Sequence, residues 1–195
     1  MPEEFNAAER RALEKLRRKH LGELTPGEEE RLRQIKEGYS TPENPQEVDP
    51  LRDVPAAYTI LNKLVRKASE EKVNVVTHDG SLIKKSIHQQ TPAGEINIEQ
   101  FFSNPPLEPI YVTITTLEQG YIQKDSFMLN NAGSLNRIVE HKDSTGKVIS
   151  GSQCRTSVSQ SLSKQDMTDV QRRAVFDIHK LIGSIAPKIL PGRNY

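Results

Sequence analysis

From Val73 onward the apolar residues recur at every second position, in short runs separated by turn residues. Val73, Val75 and Thr77 alternate, Asp79-Gly80 supplies a tight turn, and Leu82-Ile83 begin a return run. Ile110 to Leu117 is β-branched and alternating, and Tyr121 to Leu129 follows the Gly120 turn. Arg137–His141 and Lys147–Ser150 flank Asp143-Ser144-Thr145-Gly146, a hairpin loop. Ile96, Ile98 and Phe101-Phe102 fit a helix or a strand equally. A run of serines after residue 150, alternating with Cys154, Thr156, Val158 and Leu162, fits a polar edge strand or an ordered loop. Strands joined by tight turns pair antiparallel, and no crossover helices interleave them. A doubly wound parallel sheet is therefore excluded, and five to seven antiparallel strands are expected.

Two amphipathic segments bracket this region. Tyr58, Leu61, Leu64, Val65 and Ala68 mark one face of a helix over 56–69. Met167, Val170, Ala174, Ile178, Leu181, Ile182 and Ile185 mark a second over 164–186, with Pro187 as its stop. The fold class is α+β, the sheet being covered by both helices.

Ahead of this body lies a different kind of sequence. Residues 1–40 read as a charged helical hairpin, restarted at Thr25-Pro26-Gly27-Glu28, where threonine caps and proline takes the first helical position. Its apolar groups are few: Leu13, Leu16, Leu21, Leu24, Leu32 and Ile35. Such a hairpin buries too little to stand alone and is expected to order only against a surface. Pro42, Pro45, Pro50 and Pro55, mixed with acidic residues, read as a semi-stiff linker over 41–55. The expected division is arm 1–40, linker 41–55 and globular domain 56–195.

Composition bounds the function. The chain has 195 residues, with 27 basic against 26 acidic groups, a balance unlike the strong basic excess of a free nucleic-acid-binding domain. No apolar run is long enough for a transmembrane helix, and Met1-Pro2-Glu3-Glu4 lacks a signal-peptide pattern. One cysteine, Cys154, excludes an internal disulfide and a cysteine-based zinc site. With no Asn-x-Ser/Thr sequon, these features suit a cytoplasmic or other reducing intracellular compartment.

Catalytic signatures are missing. The five histidines share no metal-ligand spacing, and neither a Walker loop nor a Gly-x-Ser-x-Gly elbow occurs. Ser-x-x-Lys at Ser81, Ser144 and Ser161 is chance-level in so serine-rich a chain. Cys154 could act as a nucleophile only beside a histidine, whereas a small residue on a strand face is the plainer reading. No catalytic residue, cofactor, metal or small-molecule substrate is implied.

Two clusters carry interaction content. Arg10, Arg11, Lys15, Arg17, Arg18 and Lys19 lie on the first helix of the arm and could meet phosphates or an acidic partner. Interspersed glutamates can pair with them instead. Lys180, Lys188, Ile189 and Leu190 could face a membrane surface or a partner, against the plainer reading of a helix covering a sheet. Tyr58-Thr59-Ile60-Leu61 resembles a sorting tetrapeptide but falls on the buried stripe.

The function expected is that of a non-catalytic, self-assembling structural or scaffolding protein, a coat- or matrix-like component whose first partner is another copy of itself. The alternative is a nucleic-acid-associated adaptor using the basic N-terminal helix, and the third reading is a small enzyme without a recognisable motif.

Overall fold

The computed structural model describes residues 42–92, 94–102, 107–118, 120–157 and 167–190. The expected arm, with Arg10, Arg11, Lys15, Arg17, Arg18 and Lys19, lies outside the described residues. The described chain is α+β. A helix, α1 (Pro50–Lys67), precedes seven strands and a second helix, α2 (Asp169–Ile189). The strands are β1 (Val73–His78), β2 (Ser81–Thr91), β3 (Gly94–Phe101), β4 (Ile110–Glu118), β5 (Tyr121–Leu129), β6 (Ser134–Asp143) and β7 (Val148–Ser157). They form one open antiparallel sheet in chain order. The ambiguous segment is thus a strand as far as Phe101, and the serine-rich stretch is an edge strand as far as Ser157. The Asp143 hairpin closes as its residue types dictate: Asp143 Oδ1 accepts from Thr145 N (2.9 Å), Thr145 Oγ1 (2.6 Å) and Lys147 N (3.0 Å). Those bonds hold the Asp143 carboxyl below its ordinary range, the Thr145 hydroxyl contributing most.

Register explains which face is buried. Directly opposed residues share a face in an antiparallel ladder. One row runs Val73, Ile87, Ile98, Val112, Phe127, Arg137 and Cys154 across all seven strands. The neighbouring row runs Val75, Lys85, Gln100, Ile110, Leu129, Leu135 and Thr156. The first row is apolar from Val73 to Phe127 and turns polar at Arg137, while the second is apolar from Ile110 to Leu135 and carries Lys85 and Gln100 between that stretch and Val75. Val54, Ala57, Leu61, Leu64 and Val65 of α1, with Ala174, Ile178, Ile182 and Ile185 of α2, complete the core against them. The opposite face presents Asn74, Ser86, Glu99, Tyr111, Met128, Asn136 and Arg155, and no described element covers it.

Both helices depart from their expected bounds at prolines. Helix α1 starts at Pro50 rather than 56, absorbing the last six residues of the stretch read as a linker, and Pro55 lies inside it. Asp49 caps it by accepting from Leu51 N at 3.0 Å. The carbonyl that Pro55 leaves without its helical donor belongs to exposed Leu51, where water can serve it. Val48 and Val54 belong to the core, so residues 48–55 are packed rather than spacing. Helix α2 starts later than expected, at the Thr168–Gln171 capping box, and runs two residues past Pro187 to Ile189. There the orphaned carbonyl is that of exposed Gly183. Among the described residues no helix is long and apolar enough to cross a membrane.

His179 of α2 ties the two helices together. Its Nε2 lies 2.7 Å from the Asp53 carbonyl, so Nε2 carries the proton and donates. Burial pushes its pKa below the ordinary 6.5, outweighing the bond and the charge of Asp53. The unfolded chain therefore binds the proton first, and stability falls as pH drops from about 6.5 through the lower folded value. Substituting His179→Gln, which keeps a donor, should cost about 1–2 kcal/mol at neutral pH. It should also flatten the slope of stability against pH in that window, as read by urea unfolding at stepped pH.

Candidate interaction edge

An open sheet has two margins, and they differ. At one margin β1 reads Val-Asn-Val-Val-Thr-His, with no proline, lysine or carboxylate to blunt it. Its inner side bonds β2, with a bulge at Val76/Thr77, and no described strand pairs with its outer side. Val75 and Val76 point to opposite faces and are 53% and 44% exposed. His78 at the tip pairs with exposed Asp79, at 3.0 Å. At the other margin β7 carries exposed Val148 and Ile149, but Gln171 Nε2 of α2 donates to the Arg155 carbonyl at 3.0 Å. Helix α2 thereby occupies part of that edge.

Beneath β1, on the helix side, a cleft of about 280 Å³ opens between the end of α1 and the first two strands. Ala68, Glu70, Val73, Val75, Leu82 and Lys85 line it. Lys85 is only 9% exposed. Its pKa is depressed first by burial, then by the Arg66 guanidinium, against a smaller pull upward from Glu70. Behind Lys85, its cross-strand partner Gln100 donates through Nε2 to Asn62 Oδ1 at 2.8 Å. Arg66 Nε donates to the same oxygen at 2.8 Å, and Arg66 Nη2 meets Glu108 at 3.3 Å. Gln100 Oε1 is buried without a partner.

Two polar clusters on the same sheet were not singled out by sequence reasoning. Arg137 forks onto Asp125 (Nε–Oδ1 3.0 Å, Nη2–Oδ2 2.7 Å) and reaches Asp177 of α2 at 2.8 Å. Its guanidinium also lies 5.0 Å from the Phe127 ring centroid. This docks α2 onto the sheet. At the far end Ser150, His141 and Gln123 stand in one cross-strand row, with His141 Nδ1 2.9 Å from Ser150 Oγ and Nε2 3.2 Å from Gln123 Oε1. Adjacent alternation could have placed both clusters on one face, but their cross-strand partners depend on register.

The remaining expected site residues distribute as follows. Ile189 is 2% exposed and part of the core, and half-buried Leu190 packs against it, so both take the helix-on-sheet place. Lys180 and Lys188 are exposed. Lys180 Nζ lies 5.4 Å from the Phe176 ring centroid, and the Lys188 carbonyl accepts from Lys72 Nζ at 2.8 Å. Tyr58 and Leu61 are buried, as packing requires. Cys154 is half-buried opposite Arg137, its thiol pushed up by burial against the opposing pull of that guanidinium. Among the described residues no three His, Cys, Asp or Glu side chains cluster as metal ligands. Comparison with protein-family models, curated proteins and solved structures finds no match to this chain.

Proposed function

We propose that the protein is a non-catalytic, self-assembling structural component, coat- or matrix-like, whose copies join edge to edge at β1. The observation that carries this reading is the uncharged outer edge of β1, with which no described strand pairs, and its two exposed valines. A row of free backbone donors and acceptors is a template for another strand, and soluble proteins usually block it. Antiparallel pairing of β1 with the same strand of a second copy is self-complementary, as a twofold interface requires. It would continue one sheet through both copies and bring the exposed valines of each face together.

Substituting Val76→Glu tests the reading. In the monomer the new carboxylate faces Lys84, its cross-strand neighbour, and is tolerated. Across the twofold, two such carboxylates would approach each other and repel. Light scattering should find the native protein above 22.0 kDa and the variant at that monomer mass, with its melting temperature within about 3 °C of the native value. A native protein that stays at 22.0 kDa at every concentration, or a variant that keeps the oligomer mass, overturns the proposal.

A further inference from the structure

Independently of assembly, we infer that the cleft beneath β1 is a binding site for a small carboxylate carrying a short aliphatic tail, with Lys85 as the group that receives the carboxylate. Three observations converge. Lys85 lines the cleft at 9% exposure, and among the described residues neither a hydrogen bond nor an ion pair engages its ammonium. A cation so placed has shed much of its hydration, and the opposing charge nearest to it, Glu70 on the cleft wall, forms no ion pair with it. Four of the six lining residues, Ala68, Val73, Val75 and Leu82, are aliphatic and offer an apolar wall to a tail. The volume, about 280 Å³, falls just under the range of roughly 300–1,000 Å³ typical of pockets for larger organic ligands.

The surroundings favour an anion over a cation. Arg66 stands behind Lys85 and its field lowers the lysine pKa, but its guanidinium is already paired with Glu108 at 3.3 Å, so Lys85 is the cation left to receive an arriving carboxylate. Glu70, exposed at the rim, is the opposing charge. It separates the two sources of the same chemistry. A simple fatty acid feels repulsion from Glu70, whereas an aliphatic amino acid can direct its ammonium towards it. The competing account is a lysine that only threads its stem along apolar walls to reach water.

The test uses the full chain labelled with nitrogen-15, titrated separately with 4-methylpentanoate and with L-leucine. Saturable shifts at the amides of Val73, Val75 and Leu82, with a dissociation constant on the order of 1 mM or tighter, are expected from at least one of them. Tighter binding of leucine identifies the amino acid as the source, and tighter binding of 4-methylpentanoate identifies the simple acid. The variant Lys85→Met keeps the length and apolar stem while removing the charge. It should fold with an unchanged or higher melting temperature and bind at least about tenfold more weakly, while Lys85→Arg retains part of the affinity. Shifts that fail to saturate by about 10 mM for both compounds, or equal affinity in Lys85→Met, overturn the inference.

Discussion

Replacing Arg137 with methionine is expected to cost about 3 kcal/mol of folding stability, and to lower the melting temperature by roughly 6–12 °C. The side chain holds two carboxylates that belong to different elements: Asp125 on β5 and Asp177 on α2. Removing it leaves Asp125, 12% exposed at its side chain, without its forked partner. Breaking a fully buried pair in this way costs about 3–5 kcal/mol, and the partial exposure of this network places the expected loss at the lower end. Burial alone would lower the guanidinium pKa, yet the bonds and charges of Asp125 and then Asp177 outweigh it, so Arg137 remains charged. The conservative Arg137→Lys variant should recover less than half of the loss, because an ammonium cannot reproduce the fork. A double-mutant cycle with Asp177→Asn should show coupling of about 1 kcal/mol, which separates helix docking from the loss of the Asp125 bond. Arg173 Nε also meets Asp177, at 2.9 Å, and keeps that carboxylate partnered when Arg137 is gone. Urea unfolding of the native protein and the four variants provides the measurement.

Gly94→Ala is expected to cost about 3 kcal/mol, through a backbone that cannot accept a side chain there. Gly94 opens β3 with φ at +127°, a conformation rare for any residue with a Cβ. A Cβ would also stand 2.5 Å from the Thr115 carbonyl oxygen and 2.9 Å from Thr116 Oγ1. The first of these neighbours is backbone in the adjacent strand, so relief requires β3 and β4 to part. Faster amide exchange at Ile96 and Ile114, which are directly opposed, should accompany the loss. Gly80→Ala is the control. Its φ of +75° is strained, but a Cβ there meets nothing within 4 Å, so about 1 kcal/mol is expected. A Gly94→Ala variant no less stable than Gly80→Ala would show that the strand termini adjust freely.

The division between what is local and what is tertiary runs through particular residues. Period-two alternation from Val73 and the turn dipeptide Asp79-Gly80 determine that β1 and β2 form a hairpin, because both signals act within a few residues. The same holds for the Asp143 loop, where one side chain satisfies the turn's own donors. Apolar spacing in 58–65 and 174–185 determines two helices with one buried face each. The proline positions were not decided locally. Sequence rules make Pro55 a linker residue and Pro187 a stop, yet both lie inside helices. The carbonyls they orphan belong to exposed residues, Leu51 and Gly183, and only the way the helices lie on the sheet decides that exposure. Phe101 and Ile96 became strand residues because β2 and β4 were available to pair with them. Lys85 shows the same division at the candidate site. Its place in an alternating run says that it faces one side of the sheet. That this side lies under the end of α1, beside Arg66 and across a cleft from Glu70, follows from packing between elements distant in the chain. The exposed edge of β1 is likewise legible as an uncharged run of β-formers, but its being a margin of the sheet is a property of the seven-strand order alone.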